Sequence, residues 1–291
     1  MRRVRALLVA LLVLVTGCGG ELTAAEAATV SAEKFMAALA AGDFAQVWNA
    51  LTREARQRMG SGAVADYIAQ TDVAYDRIGN AVEVEDGVMR VPVAGLTLTD
   101  PGRTVQWPEA WLTLKWEDED WAVAWADPLF DAALSAYYNT EYLDHLDLAR
   151  AIVAIDPYHY RGHLEMHYAF RALSRPRQAE YELHLASERA TDAQMADVLA
   201  AWARFKLALG APVEAMSYAE QALKRAEPYY PGTYSAAWRA ETLVLSGQAA
   251  LLLGDGETAV LRAEEAATAD PDNPSLALFR QLLPASSPDQ P

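Results

Sequence analysis

The segment Leu243 to Pro271, LVLSGQAALLLGDGETAVLRAEEAATADP, decides the architecture of most of the chain. Leu243, Ala250 and Leu253, then Ala259, Ala263 and Ala266, recur at intervals of three, four or seven, the repeat of one helix face. Gly254-Asp255-Gly256 interrupts that pattern and Pro271 cannot continue it, so the spacing predicts two helices folded back on each other. Gly247 and Ala259 are small enough to let the two backbones approach. A lone hairpin cannot bury its apolar face, so the reading requires copies elsewhere. Shifting by 44 residues carries Gly254, Ala259, Ala263, Glu264 and Ala266 onto Gly210, Ala215, Ala219, Glu220 and Ala222. A further 36 carries Pro212, Ala215 and Ala222 onto Pro176, Ala179 and Ala186. ARAIVAIDP, from Ala149 to Pro157, overlays AEEAATADP, from Ala263 to Pro271. Four hairpins are expected, the first degenerate and ending at Pro157.

Measured from Gly247, the residues Gly254, Ala259, Ala266 and Pro271 stand at offsets of 7, 12, 19 and 24. That ladder resembles the tetratricopeptide repeat, which carries a Gly or Ala, a turn Gly, two Ala and a Pro at those steps. The resemblance implies an all-α array in which the first helix of each hairpin lines a concave groove. Those helices should cover Tyr160 to Leu173, Met195 to Leu209 and Ala236 to Leu253. Its groove positions are Arg161, Leu164, Tyr168 and Arg171, then Asp197, Ala200, Arg204 and Leu207, then Glu241, Val244, Gln248 and Leu251. Arg161, Arg171 and Arg204 beside Tyr168 and Leu164 would suit a carboxylate or an acidic peptide segment. The alternative is that they are ordinary solvated helix-surface arginines. EPYYPGTYSAAW, from Glu227 to Trp238, is too long for a tight inter-repeat turn, and Pro274 to Leu283 fits a capping helix.

His159, His163 and His167 are four apart, so one continuous helix would stack them, and such a spacing can hold a transition metal. HLEMH departs from the zincin motif HExxH, since Glu165 sits midway between the two histidines. The repeat register instead puts His163 and His167 at helix packing positions, so no metal or cofactor is expected.

At the amino end, MRRVRALLVALLVLVTGCGG carries Arg2, Arg3 and Arg5 before an apolar run of ten residues, Ala6 to Val15. A spanning helix needs about 20, so this is a signal-peptide core. Val15-Thr16-Gly17-Cys18 resembles the bacterial lipobox, whose Cys becomes lipid-modified. Cys18 is the only cysteine, which leaves no thiol for disulfides. The formal charge is −16, and loss of the leader leaves 21 basic side chains against 40 acidic ones, −19. Such acidity disfavours nucleic acid or anionic lipid as the main partner. The expected plan is a leader over 1–17, a tether over 18–29, an α+β domain over 30–127, the repeats over 128–283 and a disordered tail over 284–291.

From Val30, the residues Phe35, Leu39, Phe44, Val47, Trp48 and Leu51 fall at helical spacing, with a break at Gly42-Asp43, and a third helix is expected from Ala63 to Thr71. The period then drops to two, through Val82 and Val84, Met89, Val91 and Val93, Leu96 and Leu98, and Leu112, Leu114 and Trp116. Helices followed by a curved antiparallel sheet make an α+β domain. This order resembles the nuclear transport factor 2-like fold, a cone in which the sheet wraps a long helix. WLTLKWEDEDWAVAWADPLFDAAL, with Trp121, Val123, Trp125, Pro128 and Leu129, is similar to the end of the amino-terminal domain of methicillin-resistance-type penicillin-binding transpeptidases. In that family the domain is non-catalytic. Ser31-Ala32-Glu33-Lys34 spells the nucleophile motif S-x-x-K, but no S-D-N or K-T-G follows, and Ser31 is expected to cap a helix. Histidine is absent before His145, so acid-base work in the cone would fall to Asp72 or Asp76 beside Tyr75.

These observations give a non-catalytic envelope lipoprotein, an adaptor for another envelope protein, with a link to cell-wall synthesis implied by the transpeptidase-like domain. The alternative is a small-molecule sensor or carrier using the cone cavity. An enzyme is the weakest reading, because no nucleophile, metal or phosphate motif is complete.

Overall fold

The computed structural model describes residues 22–100, 103–230 and 233–283. The leader, Cys18 and the tail 284–291 lie outside the described residues. Helix α1 spans Ala24–Ala41, earlier than Val30, because Thr23 and Glu26 form a capping box. Ser31 therefore lies inside this helix and caps nothing; Thr23 is the cap. Helix α2 covers Phe44–Ala50, capped by Asp43, and α3 covers Arg53–Gln70, capped by Thr52. The spacing predicts this third helix only from Ala63. It begins ten residues sooner and kinks at Gly60, whose φ is 73°.

The sheet follows: β1 (Asp72–Ala74), β2 (Arg77–Ile78), β3 (Val82–Glu85), β4 (Val88–Asp100), β5 (Arg103–Glu117) and β6 (Asp120–Ala124). All pairing among these strands is antiparallel. β1, β2 and β3 lie in turn along one edge of β4, and β5 and β6 continue from its other edge. β4 and β5 form one long hairpin, in register from Val88 opposite Lys115 to Asp100 opposite Arg103. The curled sheet wraps α1, whose Phe35, Met36 and Leu39 bury against Val91, Val93, Leu114 and Val123. Trp125 closes this core, edge-on to Phe35 at 5.6 Å and to Tyr67 at 5.1 Å.

The rest is helical: α4 (Pro128–Tyr138), α5 (Tyr142–Ile155), α6 (Tyr160–Ala172), α7 (Pro176–Arg189), α8 (Met195–Ala208), α9 (Pro212–Ala226), α10 (Ala236–Leu252), α11 (Gly256–Ala269) and α12 (Pro274–Arg280). They pair as four hairpins and a capping helix. Each hairpin turns through one left-handed residue: Thr140 (φ 63°), Ser174 (57°), Gly210 (71°) and Gly254 (80°). The next N–H then reaches back to the carbonyl five residues earlier in every case: Glu141 to Ala136, Arg175 to Phe170, Ala211 to Lys206 and Asp255 to Ala250, at 2.8–3.0 Å. The ladder alanines Ala179, Ala186, Ala215, Ala222, Ala259 and Ala266 are all buried at these helix contacts. At Gly247 a Cβ would stand 2.7 Å from the Phe279 ring of α12, so any larger residue would have to displace that ring. The two parts share one core, because Phe130 of α4 and Ile152 and Ile155 of α5 pack into the hydrophobic cluster of the sheet. Among the described residues no helix is long and apolar enough to cross a membrane.

Candidate functional site

The first helices of hairpins two, three and four, α6, α8 and α10, present the same pattern of exposure. Arg161, Asp197 and Glu241 are half-buried, and Leu164, Ala200 and Val244 one turn on are buried. Tyr168, Arg204 and Gln248, and then Arg171, Leu207 and Leu251, are half-buried again. Neighbouring helices touch through these positions. The Tyr160 hydroxyl donates to Asp197 Oδ2 at 3.2 Å, and Arg204 donates to Glu241 Oε2 at 3.3 Å. Arg171 donates to the Tyr137 hydroxyl of α4 at 3.4 Å, with its guanidinium 5.8 Å from the Tyr168 ring. Among the described residues no carboxylate stands within ion-pair distance of Arg171.

Tyr168, Arg171 and Arg204 are thus brought together on one face, and burial raises the Tyr168 hydroxyl to about 12. Leu164 is 4% exposed and belongs to the core beneath that face, so it supports the face and offers it no surface. Arg161 is separated from the other two arginines. It sits 4.6 Å over the Phe130 ring, 3.5 Å from Glu165, and lines a cavity against the sheet.

The three spaced histidines do not stack. His159 precedes the helix, its ring between Phe130 (4.9 Å) and Tyr160 (6.0 Å). His163 pairs with Glu182 Oε2 at 2.8 Å and with the Pro157 carbonyl at 3.1 Å, and His167 with the Ala179 carbonyl at 2.9 Å. Their ring nitrogens tie hairpin two together. Burial pushes His167 down to about 4. Among the described residues no group of three or more His, Cys, Asp or Glu could hold a metal ion.

The cavity beside Arg161, about 160 Å³, lies where the curled sheet meets the array. Val93, Leu96 and Leu98 of β4, Trp107, Trp111 and Leu112 of β5, and Phe130 give it apolar walls. Arg90, Arg161, Arg189, Asp127, Asp156 and His159 supply its polar part. Burial raises Asp127 to about 6 and lowers His159 to about 3, and Asp127 Oδ1 stands 3.7 Å from His159 Nε2. Asp156 is also raised by burial, while it accepts the Tyr158 N–H at 3.0 Å.

The acids named from the sequence for such a pocket, Asp72 and Asp76, are exposed and outside this lining: in β1 the buried side chain is Val73, which turns Asp72 outward, and Asp76 lies between β1 and β2. Tyr75 packs at the edge of the core. Arg90 is the residue that sequence reasoning misses. A signal for it exists, since it is the only charge between Val88 and Thr99, in a strand otherwise apolar or hydroxylic.

An α+β domain with a curled sheet, continued by a tetratricopeptide-like helical array, is the class of protein these features define. No family model matches the chain, and no curated protein does. Among solved structures the helical part is similar to Pseudomonas aeruginosa pilF, 19% identical with a TM-score of 0.47 over 54% of this chain and 67% of that one. It is similar also to TTC0263, a thermophilic TPR protein of Thermus thermophilus, 16% identical with a TM-score of 0.46 over 54% of this chain and 80% of that one. PilW, a widely conserved type IV pilus biogenesis factor, is 18% identical with a TM-score of 0.46 over 54% of this chain and 69% of that one.

Proposed function

We propose that the chain is a non-catalytic adaptor of the bacterial cell envelope, held to a membrane by lipid on Cys18, whose helical array grips an extended segment of a protein partner. The observation that carries the reading is the repeated exposure pattern on α6, α8 and α10, which lays one strip of side chains across three hairpins. On a chain of charge −16, the cluster of Tyr168, Arg171 and Arg204 favours an acidic segment with an apolar residue to pack on the ring. The strand and acidic turn before Trp121, similar to those of the transpeptidase domain, support a partner in cell-wall synthesis.

Crosslinking in intact cells, with the full-length protein as bait, tests this. The expected result is an envelope protein whose crosslinks fall on α6 and α8. Crosslinks confined to the sheet would overturn the groove assignment. For the anchor, Cys18→Ser should leave the membrane fraction or remain an uncleaved precursor, and a variant that fractionates and migrates like the parent would refute lipidation.

The cavity favours a second reading, a sensor or carrier of a small molecule, because it has apolar walls and a few convergent polar groups.

A further inference from the structure

Arg90 rises from near the start of β4 into the cavity, where its guanidinium lies 4.9 Å from the centre of the Trp111 ring and 5.9 Å from that of Tyr158. Trp111 belongs to the sheet, whereas Tyr158 comes from the turn between α5 and α6, so the cation is flanked by both parts of the molecule. The other two arginines of the lining have partners. Arg161 stands 3.5 Å from Glu165, and Arg189 donates to the Pro157 carbonyl at 2.8 Å. The Arg90 guanidinium has neither a hydrogen bond nor an ion pair among the described residues: its Nε is buried without an acceptor, and Asp156, the carboxylate whose charge favours it most, stands beyond ion-pair distance. A guanidinium has five N–H donors in a planar fork and cannot shed its charge, so rings on its faces still leave its edge in need of an anion.

The remaining space sets the size of what could supply it. An apolar cavity of about 150 Å³ takes one benzene ring, and this one measures about 160 Å³. We propose that the cavity binds a small carboxylic acid, with its carboxylate on the Arg90 guanidinium and a body of about one ring in the apolar space beside it. Asp100, Asp127, Asp131 and Asp156 on the same lining oppose an anion. Asp131 is exposed and solvated, and Asp156 is committed to the Tyr158 N–H. Burial pushes both Asp127 and Asp156 toward their neutral forms, which lessens the repulsion.

The proposal rests on the carrier reading, and three probes of one shape separate the two. Benzoate, benzyl alcohol and benzylamine share a ring and differ in charge. Each is titrated into the full-length protein at pH 5, where Asp127 is mostly neutral and benzoate still mostly ionised, and at constant ionic strength, with binding read from tryptophan fluorescence and calorimetry. Benzoate should bind at least tenfold more tightly than either of the others. Arg90→Gln should bring benzoate to the level of benzyl alcohol while leaving the affinity for the alcohol within twofold. If the alcohol or the amine binds as tightly as benzoate to the parent protein, the carrier reading survives and the carboxylate assignment is wrong. If none of the three binds, both fall. The comparison on the parent protein decides the matter even where Arg90→Gln does not fold.

Discussion

Thr140 occupies in the first hairpin the left-handed turn position that Gly254 occupies in the last, with φ of 63° and 80°. Ser174 does the same in the second. A residue with a Cβ costs roughly 1 to 2 kcal/mol in that conformation, against about 0.5 to 1 kcal/mol of chain entropy that glycine loses on folding. Thr140→Gly and Ser174→Gly should each raise the unfolding free energy by about 0.5 to 1 kcal/mol, the β-branched Thr140 gaining more. Urea titration reads the change, and a loss of stability in both variants would contradict the shared turn.

Gly247 of α10 has the Phe279 ring 2.7 Å from where a Cβ would stand, and the Cβ of Arg262 at 3.1 Å. Gly247→Ala should therefore cost about 1 to 3 kcal/mol by overpacking the seat of α12. Phe279→Leu in the same chain should recover part of that loss, so the double mutant is less destabilised than the two single changes added together. Additive losses would mean that Phe279 is not what confines Gly247.

Arg171 is the freest cation on the groove face, since its hydrogen-bond partner is a neutral hydroxyl, at 3.4 Å. Arg171→Glu should weaken the crosslinked partner at least tenfold, and raising salt should weaken the parent complex. Arg204→Glu should do less to the binding than its position suggests, because Arg204 is already paired with Glu241. Affinity unchanged by both the Arg171 reversal and the salt would exclude this face.

Four buried or half-buried groups give opposing pH dependences. Burial raises Asp127 and Asp197 from 3.8 to about 6, so the folded state takes up protons first and gains stability as pH falls from about 6 toward 4. Burial lowers His159 to about 3 and His167 to about 4 from 6.5, so the unfolded state takes up protons first and stability is lost over nearly the same range. In the parent the two slopes oppose each other. Replacing Asp127 and Asp197 together by Asn removes the gain, and the urea midpoint of that variant should fall more steeply than the parent's between pH 6.5 and 4. Parallel curves would refute the assignment.

The hairpins could be read from the chain because the residues that specify them are local and periodic: Ala259, Ala266 and the turn Gly254 recur where two helices touch. The start of α3 could not. Arg53 to Arg58 offers little apolar pattern, and Gly60 and Gly62 suggest a break where the structure has a kink, with the Thr52 hydroxyl accepting the Ala55 N–H at 3.1 Å as the only strong signal. The arginine cluster was half legible. The repeat register correctly gathers Tyr168, Arg171 and Arg204, but Arg161 is taken from them by Phe130 and the sheet, which no spacing within the repeats reveals. The cavity was not legible at all, since Arg90, Tyr158 and Arg189 meet only once the sheet and the array are packed together.

Ordinary repeat arrays touch only their own neighbours along the line, and so behave as springs that tighten or relax around what they hold. This one is fastened twice. Phe130, Ile152 and Ile155 bury its first hairpin in the core of the sheet, and farther along the Thr233 hydroxyl donates to the Gln106 carbonyl while Tyr234 meets the Trp107 ring at 6.5 Å. The long β4–β5 hairpin thus acts as a strut from the first hairpin to the segment that leads into the fourth, turning the spring into a bridge with a set span. A partner segment has to match that span as it stands, which makes length and shape, more than winding, the means by which one partner is chosen over another.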